Sequence, residues 1–210
     1  MPEALIWGAS GGIGQALVAA LKRDGWRVFA AARNTQRIPP EADCTYGFDV
    51  SDTQSFKEAA TLLAHDVSGL DLIVYAAGAL RAEMLKRMRA EDWAEVLASN
   101  LTGAFLAASY GVHLLKPEGH MMFIGAYIDH VTLPKMGAYA AAKAGLETMV
   151  EVLRAENRRL RFSVVRPGAV DTPFWEHAPF RRPTNARAPA VIAEAILAHY
   201  HAADAGDLNL

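Results

Sequence analysis

The sequence predicts an α/β domain with a doubly wound, mostly parallel sheet of six or seven strands and helices on both faces. Short apolar runs alternate with helical patterns along all 210 residues, as in consecutive βαβ units. A glycine cluster directly follows the first run and opens the first helical pattern. A chain of this length also fits one hydrophobic core. We therefore interpret residues 1–210 as a single domain.

The strands and helices follow from the spacing of apolar residues. Five runs have the length of buried parallel strands, and they lie at 4–7, 27–32, 72–75, 120–124 and 162–166, with an edge strand predicted at 207–210. Apolar residues recur at helical spacing in 13–21, 93–108, 146–153 and 192–197. Parallel order with right-handed crossovers places a ligand site at the carboxyl ends of the strands.

The glycine cluster after the first strand has the spacing G-x-x-x-G-x-G. Gly8, Gly12 and Gly14 permit a tight turn, and Ser10 and Ile13 lie between them. Backbone N–H groups at a helix N-terminus attract a pyrophosphate through their partial positive charge. We predict that these five residues bind a dinucleotide. The alternative is a tight turn that holds no ligand.

The end of the second strand indicates which dinucleotide is preferred. An acidic residue there would accept hydrogen bonds from the ribose 2′-hydroxyl of NAD, but this chain has Ala32 followed by Arg33. A guanidinium can pair with a 2′-phosphate. The sequence therefore predicts NADP, with NADPH preferred over NADH. The alternative is that Arg33 is a solvated surface charge.

Tyr139 and Lys143 are four residues apart on a predicted helix that starts near Ala138. This spacing places the phenol and the ammonium on one helix face. Because a nearby cation stabilises phenolate, we expect Lys143 to lower the pKa of Tyr139 toward the range of acid/base catalysis.

These motifs together resemble those of the short-chain dehydrogenase/reductase family, over nearly the whole chain. Besides the glycine loop and Tyr139-x-x-x-Lys143, the matching positions are Asn100 in a predicted helix, the Asp49–Val50 pair, Ala77–Gly78 after a strand, and Val170 and Thr172 in Pro-Gly-x-Val-x-Thr. The resemblance implies a Rossmann-like fold and hydride transfer between nicotinamide and a carbonyl carbon.

The resemblance also implies a role for each matching residue. Tyr139 would be the acid/base and would also contact the cofactor, and Lys143 would activate Tyr139 and bind the ribose hydroxyls. Asn100 would hold a proton-relay water. The other positions would contact the cofactor. Asp49 and Val50 would lie at the adenine, the backbone of Ala77 and Gly78 would approach the cofactor closely, and Val170 and Thr172 would lie at the nicotinamide.

The chain departs from the family pattern at three places. Trp7 stands where the family usually has Thr, and 75–78 reads Tyr-Ala-Ala-Gly in place of Asn-Asn-Ala-Gly, which loses side-chain hydrogen bonds. The usual catalytic Ser, thirteen residues before the Tyr, is Ala126. Tyr127 or Thr132 is a candidate replacement hydroxyl. His130 and Asp129 in the same loop are better explained as surface residues.

Residues 173–189 are predicted to form a lid over the site. Phe174, Trp175, His177 and Phe180 suit an apolar or aromatic small-molecule substrate, and Arg181 and Arg182 could attract a carboxylate. The alternative is an aromatic cluster that closes the core beside two solvated charges.

Composition restricts the partners. A net charge of -2 favours neither nucleic acid nor a membrane, and the lone Cys44 fits a reducing, cytoplasmic location without a metal cluster.

The family resemblance implies a homodimer or homotetramer. Two hypotheses remain, namely an NADP(H)-dependent oxidoreductase impaired or altered by Ala126, and a noncatalytic NADP(H)-binding sensor or assembly protein.

Overall fold

The computed structural model describes residues 1–210 and contains one sheet of seven parallel strands. The strands are β1 (Glu3–Trp7), β2 (Arg27–Ala32), β3 (Cys44–Gly47), β4 (Leu70–Tyr75), β5 (Leu115–Ile124), β6 (Arg161–Arg166) and β7 (Leu208–Asn209). Their order in the sheet is β3-β2-β1-β4-β5-β6-β7. The order reverses between β1 and β4, so the predicted doubly wound sheet is confirmed and its ligand crevice falls beside these two strands.

The structure has seven α-helices, of which five contribute to the cores on the two faces of the sheet. The seven are α1 (Gly12–Arg23), α2 (Thr53–Asp66), α3 (Ala90–Leu97), α4 (Gly103–Gly111), α5 (Ile128–Val131), α6 (Gly137–Glu156) and α7 (Pro189–His201). A π-helical turn, Ala98–Thr102, joins α3 to α4 and interrupts the helix predicted at 93–108. Helices α1 and α7 contribute to one core cluster, and α2, α4 and α6 to the other.

The central strands are largely apolar because both faces of the sheet are covered. In β1, Ala4 and Ile6 point into the core beneath α1 and α7, while Leu5 and Trp7 point into the opposite core. All five β1 residues are buried. A continuous apolar run therefore marks a central parallel strand, as the sequence predicted.

Strand β3 and helix α2 were not among the predicted elements. Strand β3 has four residues, of which only Tyr46 is buried. Helix α2 begins after Asp52, whose side chain accepts a hydrogen bond from the amide of Gln54. Its buried residues are Phe56, Ala59, Ala60 and Leu63, and the rest of the helix is polar except for the exposed Leu62 and Ala64. Small and polar residues obscured the helical period there.

A buried histidine pair lies at the end of the sheet opposite the crevice. Nε2 of His120 and Oγ of Ser163 share a hydrogen bond of 2.8 Å, and Oγ of Ser163 lies 3.2 Å from Nε2 of His199. Nδ1 of His120 has no hydrogen-bond partner. Burial, followed by the nearby charge of Arg161, lowers the pKa of His120 to about 3. The imidazole is therefore neutral in the folded protein at physiological pH.

We expect the free energy of unfolding to fall as pH drops below about 6.5, the pKa of an unfolded histidine. Between that value and about 3 the unfolded state binds a proton at His120 that the folded state does not. The loss should reach about 2 kcal/mol at pH 5. Urea unfolding at pH 7.5 and 5 measures it.

His120→Leu should remove this part of the pH dependence, and His65→Gln at an exposed position should leave it unchanged. An equal loss of stability in the native protein and in His120→Leu between the two pH values would contradict the assignment.

Candidate active site

The loop between β1 and α1 turns so tightly that its glycines have no room for a side chain. Gly8 has a φ of 86°, and a Cβ there would lie 2.4 Å from the amide nitrogen of Ala77. A Cβ on Gly14 would lie 2.2 Å from the carbonyl oxygen of Gly8. Gly12 faces Thr172, whose Cγ2 would lie 2.6 Å from an added Cβ. These glycines keep the backbone of the loop close to its neighbours.

The N-terminus of α1 presents free amide groups to the crevice. The first hydrogen bond along the helix runs from the amide of Gln15 to the carbonyl of Gly11, at 2.8 Å. Gly11 precedes the helix and offers no side-chain cap. The amides of the first helical turn therefore lack internal acceptors, and an anion can accept from them.

One cavity of about 670 Å³ extends from this helix terminus along the carboxyl ends of the strands. The predicted site residues that line it are Ser10, Gly12, Ile13, Ala77, Gly78, Asn100, Tyr139, Lys143, Val170 and Thr172. Gly8 and Gly14 belong to the glycine loop but do not line the cavity. Arg33, Asp49 and Val50 lie outside the cavity wall. The structure thus brings the glycine loop and the pair Tyr139 and Lys143 to the same cavity.

Arg33 and Asp49 lie near each other at the carboxyl ends of β2 and β3. The carboxylate of Asp49 accepts hydrogen bonds from the hydroxyl and the amide of Ser51, at 2.7 and 2.9 Å. These bonds, with a smaller contribution from the charge of Arg33, lower the pKa of Asp49. Val50 packs next to α4, where a Cβ on Gly103 would lie 2.8 Å from its Cγ1.

Arg37 is a cavity residue that sequence reasoning missed. It ends a short 3-10 turn, Thr35–Arg37, that Asn34 caps by accepting a hydrogen bond from the amide of Gln36. The carbonyl of Arg37 accepts from Nε2 of Gln15 on α1, at 2.8 Å. The sequence signal for Arg37 was Asn34, a residue type that caps helical turns. The turn that it caps brings the chain after β2 back toward the glycine loop.

Tyr139 and Lys143 lie one turn apart on α6, as predicted, and both face the cavity. The ammonium of Lys143 is 5.5 Å from the centroid of the Tyr139 ring. It donates a 2.6 Å hydrogen bond to the carbonyl of Ile124 at the end of β5. Burial lowers the pKa of Lys143 to about 8, partly opposed by the charge of Glu147.

The predicted lowering of the Tyr139 pKa was wrong for this arrangement. Burial raises the pKa of the phenol above its usual value, and no cation offsets the rise. The reason is that the ammonium of Lys143 donates to the carbonyl of Ile124 and makes no hydrogen bond with the phenol. Tyr139 therefore keeps its proton at neutral pH.

Asn100 is fully buried in the π-helical turn and has a free acceptor. Its Nδ2 donates to the carbonyls of Ala79 and Val96, at 2.7 and 2.9 Å. Its Oδ1 has no partner, and a Cβ on Gly78 would lie 2.9 Å from this atom. A buried amide oxygen without a partner is costly, so this atom is suited to accept from a bound group.

Two departures from the family pattern have structural consequences. The ring of Trp7 is buried and stacks on Phe56 with 4.3 Å between centroids, while its Nε1 has no partner. At 75–78, Tyr75 makes a side-chain hydrogen bond of its own, because its hydroxyl donates to the carbonyl of Ser99 at 2.7 Å. This bond anchors the π-helical turn that holds Asn100.

Neither candidate hydroxyl takes the place of the Ser that Ala126 replaces. The Tyr127 hydroxyl donates to the carbonyl of Leu210, at 3.1 Å. The Thr132 hydroxyl donates to the carbonyl of Ile128, at 2.7 Å, on the exposed side of α5. His130 borders the cavity mouth with a largely exposed ring. The wall beside Tyr139 is therefore apolar at Ala126.

Aromatic residues from the segment after β6 close the cavity over Tyr139. The Phe174 ring lies 5.3 Å from that of Tyr139. Nε1 of Trp175 donates to the carbonyl of Val170 at 2.7 Å, which fixes the short 3-10 helix Pro173–His177. Arg182 pairs with Asp171, so its charge is compensated and is not available to attract a carboxylate.

No helix of the structure has the length and apolar character to cross a membrane. The chain also contains no group of three or more His, Cys, Asp or Glu side chains arranged to hold a metal ion.

Comparison with known proteins agrees with this geometry. A family model described as short chain dehydrogenase matches residues 2–181. Carbonyl reductase family member 4 from Danio rerio is 30% identical over 92% of this chain and 89% of its own length. D-threitol dehydrogenase from Mycolicibacterium smegmatis is 30% identical over 83% of this chain and 72% of its own.

A solved structure has the same architecture. The alcohol dehydrogenase from the archaeon Thermococcus sibiricus, complexed with 5-hydroxy-NADP, superposes with a TM-score of 0.90. It is 28% identical in sequence, and the match covers 100% of this chain and 95% of the other.

Proposed function

The chain belongs to the short-chain dehydrogenase/reductase family of oxidoreductases, and we propose that it transfers hydride between NADP(H) and a small carbonyl or alcohol substrate. We further propose that Ala126 alters this catalysis. One observation carries the proposal. Tyr139, Lys143 and Asn100 line the same cavity as the glycine loop, so acid/base and cofactor groups share one space.

The residues present fit a dinucleotide. The free amides at the start of α1 suit a pyrophosphate, and an added Cβ at Gly12 would enter the space next to Thr172. The unpartnered Oδ1 of Asn100 supplies a buried acceptor. In the assignment we propose, Gly8 through Gly14 hold the pyrophosphate, Asp49 and Val50 the adenine side, and Ala77, Gly78, Val170 and Thr172 the nicotinamide side.

The preference for NADP over NAD rests on two arginines. Arg33 and Arg37 form no ion pair with an acidic side chain, and Arg37 lines the cavity. Both follow β2, where the ribose of the adenosine half lies in a doubly wound sheet. Two guanidinium groups there, neither of them in an ion pair, favour a 2′-phosphate. The relative complexed with 5-hydroxy-NADP is consistent with this choice.

The nicotinamide, when bound, would supply or accept the hydride. Tyr139 holds its proton because burial raises the pKa of the phenol, so it can donate that proton to a carbonyl oxygen as reduction proceeds. Lys143, with a pKa of about 8, carries a positive charge at neutral pH in the same cavity. Asn100 would use its free Oδ1 to orient a relay water.

The experiment is an NADPH oxidation assay across a panel of aldehydes and ketones, combined with calorimetric titration of NADPH and NADH. We expect substrate-dependent oxidation of NADPH and tighter binding of NADPH than of NADH. Binding of neither dinucleotide would refute the proposal.

Ala126 favours a second candidate function, a noncatalytic NADP(H)-binding sensor or assembly protein. Loss of a donor to the developing oxyanion costs about 3 to 4 kcal/mol of transition-state stabilisation. Tight NADPH binding without turnover of any carbonyl in the panel would support this candidate over the first.

We also propose that the protein is located in the cytoplasm and that residues 173–189 act as a substrate lid. We further propose that it forms a homodimer or homotetramer. The outer faces of α4 and α6 expose Phe105 and Val152, each about half accessible. Such apolar side chains on neighbouring helices suit contact with a second copy. Light scattering of the purified protein measures the mass, and a monomer at micromolar concentration would contradict the assembly.

A further inference from the structure

The substrate half of the cavity contains one hydroxyl in a position to protonate a substrate. Apart from Tyr139, the buried donors of this half are already used, while His130 and His177 line the cavity as exposed residues and Thr172 lies on the glycine-loop side, next to Gly12. The Tyr127 hydroxyl bonds to Leu210, both hydrogens of the Asn100 amide bond to backbone carbonyls, and the Trp175 indole bonds to Val170. A carbonyl beside Tyr139 would therefore receive one hydrogen bond, with the methyl group of Ala126 on the other side.

The walls around this hydroxyl are largely apolar, with Lys143 as the one charged side chain close to Tyr139. Val131, Met136, Phe174, Trp175 and Phe180 line this half of the cavity. The only Lys or Arg side chains in the wall of the whole cavity are Arg37, on the glycine-loop side, and Lys143, and no Asp or Glu lines it. Such a surface binds a neutral substrate with an aromatic or apolar substituent.

A single donor restricts which carbonyl groups can react. In reduction, the carbonyl carbon accepts a hydride, the C=O π electrons move to oxygen, and the Tyr139 proton neutralises that oxygen to give an alcohol. The cost of the missing donor grows with the negative charge that develops on oxygen. An electron-withdrawing neighbour disperses this charge and makes the transition state earlier.

We infer that the site is selective for activated carbonyls, specifically neutral vicinal dicarbonyl compounds with an aryl substituent. This inference rests on the proposed reductase function. In such a compound the adjacent C=O withdraws electrons from the reacting carbon, so one donor suffices. A simple aryl ketone of the same size lacks this activation and should react poorly for electronic reasons, although it fits the same space.

The test compares two substrates of nearly equal shape, 1-phenyl-1,2-propanedione and propiophenone, in the native protein, Ala126→Ser and Ala126→Gly. The dione is intrinsically more reactive than propiophenone, so its faster reduction by the native protein is not informative by itself. The informative quantity is how the ratio of kcat/KM for the dione to kcat/KM for propiophenone changes with Ala126→Ser. We expect that substitution to raise kcat/KM for propiophenone by about 10² to 10³ and for the dione by less than about tenfold. Ala126→Gly adds no hydroxyl and should not lower the ratio of kcat/KM for the dione to kcat/KM for propiophenone.

Equal gains for both substrates, or no gain in a folded Ala126→Ser protein, would overturn the inference while leaving the reductase function intact. So would rapid reduction of propiophenone by the native protein. If NADPH binds but no variant reduces either substrate, the inference is overturned, and the proposed reductase function fails as well only if no carbonyl of the wider panel is reduced. Circular dichroism and NADPH titration of each variant distinguish these results from misfolding.

Discussion

Replacing Tyr139 with phenylalanine is expected to lower kcat for carbonyl reduction by about 10² to 10⁴-fold, the range typical of a lost general acid. The ring would still pack beneath Phe174, 5.3 Å away, so the cavity should keep its shape. Lys143 would still donate to the carbonyl of Ile124. The NADPH dissociation constant should therefore change by no more than about twofold, as expected for a group whose interaction is made in the transition state.

The matched control is Tyr110→Phe on α4, where the ring stacks on Phe56 away from the cavity. This variant should retain the native kcat within about twofold, because it removes the same atom without touching the site. Steady-state NADPH oxidation with an accepted dione measures both variants. If Tyr139→Phe retained more than half of the native rate, another group would have to be the proton donor.

The parts of the site that could be predicted from the sequence depend on local chain geometry. A glycine cluster between a buried strand and a helix has few conformations available, and Gly8 and Gly14 have close backbone neighbours that exclude a side chain. Tyr139 and Lys143 share a face because the helical repeat requires it. Parallel strands also bring their carboxyl ends to one edge, which placed Thr172 opposite Gly12.

The parts that could not be predicted depend on tertiary contacts. The position of the Lys143 ammonium is decided by the carbonyl of Ile124, a residue distant in sequence. Spacing alone suggested that this charge would act on Tyr139, whereas burial determines the pKa of the phenol. The Tyr75 hydroxyl found a partner in Ser99 only because of the π-helical turn.

Secondary structure was missed where burial is slight or side chains are small. Strand β3 lies at the edge of the sheet and buries one of its four residues, so it has no apolar run. Helix α2 uses Ala59 and Ala60 for half of its buried face, and alanine marks a helical period weakly. Neither omission affected the topology at the crevice, which β1 and β4 define.

The second large effect is expected for cofactor choice. The double variant Arg33→Gln and Arg37→Gln should raise the NADPH dissociation constant by about 10² to 10⁴, since each charged hydrogen bond contributes about 1.5 to 3 kcal/mol. NADH has no 2′-phosphate, so its dissociation constant should change by less than about threefold. Calorimetry with both dinucleotides measures the change, and the native preference for NADPH should disappear.

Arg23→Gln serves as the control, because this guanidinium is exposed at the end of α1 and pairs with Glu194 on α7, outside the cavity wall. It should bind both dinucleotides as the native protein does. The two single variants separate the arginines. If Arg37 contributes because it lies in the cavity wall, Arg37→Gln alone should weaken NADPH binding by at least about tenfold. Equal weakening of NADPH and NADH in the double variant would mean that these arginines support the loop and do not recognise a phosphate.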